Sequence, residues 1–188
     1  MANLLTGFTN RTVTNLQLNA GVLVTSYVKG EAITEQQIIG ATRGGGSFTA
    51  VPTIHNVAVD GVPTHVKGLE RIDEWVITLN TTLVEFNKEA IKIALGGGVQ
   101  STTEVGGDTI YKCNNDIIAG DYQDIYWIGN TSNGTNVVIK INNALNLTGF
   151  NLTISDKGEG TYPLALVGHY DATDLNTAPF SITFEVGA

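Results

Sequence analysis

The chain has 188 residues, a mass of 19.9 kDa, a formal charge of −8 and a pI near 4.7, enough length to bury one core. Ten Lys and Arg against 18 Asp and Glu exclude a basic nucleic-acid clamp, which needs clustered cations to hold phosphate. Charged residues are only 15% of the chain, where an average soluble domain has roughly 25%, so much of the surface is expected to meet other protein.

No run of strictly apolar residues exceeds four, too short for a transmembrane helix. The start, MANLLTGFTNRTV, lacks the basic and apolar regions of a signal peptide. With a single cysteine, Cys113, no intramolecular disulfide can form. The expectation is therefore an intracellular origin and stability from packing alone. The N-x-[ST] triplets read as accidents of a chain rich in Asn and Thr.

The composition is that of a β protein: Thr, Val, Ile and aromatics in short alternating runs, broken by Gly, Asn and Asp. The first strand is expected over residues 20–28 (AGVLVTSYV) and the second over 47–59 (SFTAVPTIHNVAV). Pro52 removes a ladder donor from the second, which suits a sheet edge or a bulge. Asp60-Gly61 follows as a hairpin signal. Between these two strands, residues 30–46 form a long arm, Gly-rich at its end, that would carry Ile38 and Ile39 into solvent. Loops of that length are usually functional or disordered, and one that orders against a partner accounts for the isoleucines.

The third strand, over 71–84 (RIDEWVITLNTTLV), places Trp75, Ile77, Leu79 and Leu83 on one face and Glu74, Thr78, Asn80 and Thr82 on the other. One helix is expected, over 87–95 (NKEAIKIAL), with Asn87 at its N-cap and Ala90, Ile91, Ala94 and Leu95 as its apolar stripe; Gly96-Gly97-Gly98 stops it. So short a helix is marginal alone in water and must dock on a sheet. Further strands follow over 108–113, 122–129, 136–142, 147–154, 161–170 and 180–186. The last alternates with Phe180, Ile182, Phe184 and Val186 inward and Ser181, Thr183 and Glu185 outward. The fold class is thus mainly β: two packed antiparallel sheets, sandwich- or barrel-like, with one flanking helix. The chain reads as one domain, 1–188, with the arm at about 30–46.

Chemistry is sparse. Gly44-Gly45-Gly46 after Arg43 lacks the Gly-Lys-Ser/Thr ending of a phosphate loop. His55 and His65 flank the Asp-Gly turn and could approach each other, and His169 lies near a strand end, but no metal set with matched spacing is visible. Asp73 and Glu74 are adjacent on a strand and so point to opposite faces. Cys113, on a strand, is expected to be buried and inert. No nucleophile elbow, catalytic triad or cofactor fingerprint is present, so the sequence contains no argument for an enzyme, a cofactor or a metal.

Residues 38–61 (IIGATRGGGSFTAVPTIHNVAVDG), 66–86 (VKGLERIDEWVITLNTTLVEF), the short helix and 144–171 (ALNLTGFNLTISDKGEGTYPLALVGHYD), then a Pro-aromatic final strand, occur in an order that resembles the major tail tube proteins of long-tailed, siphovirus-like bacteriophages. The resemblance spans roughly residues 30–186; residues 100–135 match nothing in it. It implies two packed sheets with a flanking helix, a homo-oligomer of hexameric rings stacked into a tube, and passage of double-stranded DNA through the lumen without specific binding. Other tail proteins (initiator, tape measure, terminator) would be its partners, and its place would be the virion tail, after synthesis in the host cytoplasm, with no membrane partner. The arm is expected to reach a neighbouring ring or subunit, through Ile38, Ile39, Thr42, Arg43 and Phe48. The acidic charge suits such a conduit, because a wall repelling phosphate lets DNA slide. Alternatives are another β-rich virion part (contractile-tail tube, tail terminator or head decoration), or a carbohydrate-binding sandwich using Tyr122, Tyr126 and Trp127.

Overall fold

The computed structural model describes residues 6–17, 19–103 and 106–185. A short helix α1 (Asn10–Thr14) precedes strands β1 (Val22–Val24), β2 (Thr42–Asn56) and β3 (Glu70–Leu83). Helix α2 (Lys88–Leu95) leads to β4 (Val99–Thr103), β5 (Thr109–Cys113), β6 (Gln123–Asn130), β7 (Asn136–Asn146), β8 (Tyr162–Val167) and β9 (Phe180–Glu185). The chain is mainly β, with antiparallel pairing throughout the described sheets.

Two layers share β7. Along most of its length β7 lies between β6 and β9, with β1 outside β6; its last residues, Leu145 and Asn146, pair instead with Val167 and Leu166 of β8. From β8 the second layer continues to β3 and ends at β2. The turn between layers falls at Asn143, whose φ of 48° is one that Asn tolerates better than most residues. Its N–H donates to Asp124 Oδ1 at 3.1 Å, and β6 carries a register shift opposite, between Gln123 and Ile125, the irregularity by which a strand bends from one sheet into another.

The core lies between the layers. Leu23, Ile125, Ile141 and Ala144 from one side meet Ile77, Leu79, Leu83, Leu164 and Leu166 from the other. Trp75, Ile77, Leu79 and Leu83 do share the inward face of β3. Phe180 bridges the layers, its ring centroid 5.9 Å from Phe48 and 5.6 Å from Trp75. Helix α2 closes one end of this core. Asn87 Oδ1 accepts the Ala90 N–H at 2.8 Å, the N-cap that the sequence indicates, and Gly96 ends the helix at φ 83°. The docked residues are Ala90, Ile93 and Ala94; Ile91 and Leu95 are only half-buried, so the stripe is rotated by part of a turn from the expected one.

Several elements differ from the sequence reading. The first strand is three residues long rather than nine. Residues 147–154 form no strand, and only Thr153 makes a bridge, to Thr161. Asp60-Gly61 does turn the chain, yet within a connection from Asn56 to Glu70 rather than a two-residue hairpin loop. β5 falls on the strand expected over 108–113, whereas its partner β4 and the helix α1 carry weak patterns and were not expected. Cys113, expected to be buried, is exposed, because β5 belongs to that ribbon and not to the main sheets. Ile182 and Phe184 are not inward in the sense expected: they are 48% and 67% exposed, while Glu185 is buried. Val186 and the first five residues lie outside the described residues.

Candidate assembly interface

The expected arm does not project. Residues 25–38 fold across the outer face of the β1–β6–β7–β9 layer, where Ile33 and Ile38 pack with Val24, Ile128 and Val138. The Thr25 N–H donates to Gln37 O at 2.9 Å and the Ile39 N–H to Leu23 O at 2.9 Å. Ile39 is fully buried in the core, so within the folded chain neither isoleucine is exposed as the sequence suggested; a pair of adjacent apolar residues here serves both faces of one sheet. The Tyr27 hydroxyl donates to Glu185 Oε2 at 2.8 Å, and Asn136 Nδ2 donates to the same oxygen at 3.2 Å, tying this segment to the end of β9. Burial, with Glu185 adding to it, raises the Tyr27 phenol above its ordinary value.

From Thr42 onward the Gly-rich stretch is strand, not loop: Gly46 pairs with Thr81 and Thr42 with Leu83 across a shifted register. Thr42 is half-buried, while Arg43 is exposed, its guanidinium 2.7 Å from Glu159. That bond holds the Glu159 carboxyl below the ordinary range. Phe48 is half-buried against Phe180. The five expected contact residues are therefore not one projecting set.

What does project is the outer half of the β2–β3 hairpin. Val51 pairs with Val76, and Ile54 with Ile72; these four are 45–55% exposed. Val57, Val59 and Val62 in the connection are exposed too. His55 Nδ1 lies 2.5 Å from Asp73 Oδ1 across this hairpin, so His55 has a carboxylate partner and not His65 as expected. His169 is held by its ring against Tyr122, centroids 5.1 Å apart, with Nδ1 3.0 Å from Asn143 O. Among the described residues no group of three or more His, Cys, Asp and Glu could hold a metal ion.

Among the described residues, two strand edges of the main layers are open. The outer edge of β1 is closed by residues 37–39, but β2, 15 residues long, and β9 each end a layer with one paired neighbour. Pro52 sits in β2, as an edge strand permits. Beside these edges the mouth between the layers opens into a cleft of about 330 Å³, whose walls include Trp127, Ile139, Phe48 and Leu79. Among the described residues no charged side chain lines it.

The outer face of the β2–β3–β8 layer is also uncharged over three rows. Ser47, Asn80 and Ala165 form one row, Thr49, Thr78 and Val167 the next, then Val51 and Val76; Glu74 is the first charge beyond them. The aromatic residues considered for a sugar platform do not form one. Trp127 faces the cleft and donates its indole N–H to Ala20 O at 2.8 Å. Tyr126, its neighbour on β6, turns to the opposite face near Tyr27, and Tyr122 meets His169 edge-on.

No protein-family model matches the chain, and no curated protein matches it. Solved structures do. The chain is similar to one in the tail of an empty gene transfer agent particle refined with C6 helical symmetry, at 14% identity and a TM-score of 0.38, over 89% of this chain and 96% of that one. It is similar also to a chain in the virion of a native gene transfer agent particle, at 12% identity and a TM-score of 0.35, over 95% of this chain and 100% of that one.

The exposure of the apolar side chains on the hairpin, the cleft and the open edge of β9 escaped the sequence reading for one reason. Alternation marks the apolar face of β9 correctly as a face, but it carries no information on whether the layer covering that face belongs to the same chain.

Proposed function

We propose that the chain is a structural, non-enzymatic subunit of a bacteriophage tail that assembles with identical copies into stacked hexameric rings, forming a tube for DNA delivery. The observation that carries this reading is the pair of open edges, β2 and β9, flanked by exposed apolar side chains. Soluble monomers conceal such edges with charge, short strands or covering segments, because an open edge templates pairing with another chain. Ring closure conceals them instead, which fits a chain with so little charge.

The sequence order that resembles tail tube proteins supports the same reading. So does the uncharged outer face of the β2–β3–β8 layer, which suits a lumen wall: without Lys or Arg it offers phosphate no counterion-release binding, and DNA can slide past it. The partners are then copies of this chain and the initiator, tape measure and terminator of the tail, and its site is the virion.

Electron microscopy of the concentrated chain in negative stain tests this. Rings or hollow tubes of uniform width are the expected result. Binding of glycans by a stable monomer, or turnover of a small molecule, would contradict it.

A further inference from the structure

Residues 13–17 are fastened to the turn, residues 131–135, that joins β6 to β7. The Ser132 N–H donates to Leu16 O at 2.8 Å, the Asn133 N–H to Thr14 O at 3.0 Å and the Ser132 hydroxyl to Val13 O at 2.5 Å. Gln17 adds a bridge to Thr131. Helix α1, just upstream, has no buried residue, so these polar bonds hold it with little help from apolar packing.

Within that turn lies Asn133-Gly134, the chain's single Asn-Gly pair, and both residues are exposed. Asn133 Oδ1 accepts the Thr131 hydroxyl at 2.5 Å and the Thr135 N–H at 3.0 Å. A backbone N–H can only donate, which identifies the atom facing it as the carboxamide oxygen. The side chain is thereby folded forward across Gly134, whose φ is 86° and whose surroundings are open.

We infer that Asn133 is a site of self-modification, at which the folded chain converts its own carboxamide to an acid. The Gly134 amide nitrogen, having given its proton to solvent base, attacks Cγ of Asn133. The N–Cγ bond forms, the Cγ–Nδ2 bond breaks and ammonia leaves, giving a five-membered succinimide. Water then opens the ring at either carbonyl, leaving aspartate or isoaspartate. Nucleophile and carbonyl belong to adjacent residues, so the ring closes without a bimolecular encounter. Glycine puts no Cβ in the path. The two donors on Oδ1 sit where negative charge gathers as the nitrogen adds. Opposing this is the Gly134 N–H bond to Thr131 O at 2.8 Å, a surface bond that water replaces at small cost.

The two products differ in consequence. Aspartate keeps the backbone, and its carboxylate accepts the same two bonds in charge-assisted form. Isoaspartate carries the main chain through Cβ and Cγ, one atom longer. The closing bonds of the turn, Gly134 N–H to Thr131 O and Thr131 N–H to Thr135 O, then fall out of register, and the donors that hold Leu16 O and Thr14 O move with them. Conversion is thus a slow release of the N-terminal segment.

Ageing the full chain in mildly alkaline buffer tests this, with peptide mapping by mass spectrometry under fragmentation that separates aspartate from isoaspartate. Asn133 is expected to convert ahead of every other asparagine, with both products present. Thr131→Val, which removes one Oδ1 donor, should slow conversion about fivefold, and Thr131→Ser, which keeps the hydroxyl, should match the wild type. Trypsin should cut after Arg11 about tenfold faster in the isoaspartate fraction than in fresh protein. Folded protein that retains Asn133 while its urea-unfolded form converts overturns the site. A Thr131→Val rate equal to or above wild type overturns the part given to the two donors. Unchanged cleavage after Arg11 overturns the release.

Discussion

The Asn87 side chain joins two segments that are far apart in sequence: its Nδ2 donates to Ile39 O at 2.8 Å while its Oδ1 caps the first turn of α2. The helix start is thereby fixed to the segment that the sequence suggested was a free arm. Asn87→Ala should lose the cap, about 1 kcal/mol, and leave a part-buried carbonyl without its donor, for a total of about 2 kcal/mol. Urea unfolding of the variant checks this. Deleting residues 36–46 removes Ile39 from the core along with part of β2, and should yield unfolded protein by circular dichroism rather than a folded, non-assembling monomer.

Gly96 ends α2 at φ 83°, and a Cβ placed there would lie 2.3 Å from Asn146 O. Asn146 is itself buried and donates to Ala94 O and to Gly149 O, so it cannot move aside without losing those bonds. Gly96→Ala should cost more than about 2 kcal/mol, combining the overlap with a φ of 83° and ψ of −136° that residues with a side chain rarely adopt. Gly134→Ala is the control: its φ is 86° with open space around it, so only the strain remains. Gly96→Ala should lower the melting temperature further than Gly134→Ala does.

Tyr162 gives the fold a signature in alkali. Its side chain is fully buried and its hydroxyl donates to Glu85 O at 2.5 Å. Burial first, and the Glu85 carboxylate second, push its phenol from 10.0 up to about 12. The native state therefore keeps a proton that the unfolded chain releases. Stability is fully present below pH 10 and falls as the pH rises from 10 to about 12. Tyr162→Phe should lower stability near neutral pH by about 1 kcal/mol, for the lost hydrogen bond, and should flatten the decline between pH 10 and 12. Denaturant midpoints across that range test both effects.

Much of this architecture is legible in the sequence because it is local. The inward face of β3, the Asn87 cap, the Gly stop after Leu95 and the edge position of a proline-bearing strand each follow from spacing within a dozen residues. Ile38 and Ile39 show where spacing stops helping: adjacent apolar residues in a Gly-rich stretch look stranded until β1 lies beside them and gives each a different face of one sheet. The rotation of the α2 stripe toward Ile93 has the same origin, since the sheets decide which side of a short helix is covered. Ile182 and Phe184 mark the opposite limit, an alternating strand whose apolar face stays exposed among the described residues.

Self-assembly along a tail is the central claim, and antibody labelling of tailed particles that carry the chain, viewed by electron microscopy, tests it most directly. Label distributed over the whole length of the shaft, in many copies, is the predicted result. Label confined to one point, at the tip or the head, would contradict the account.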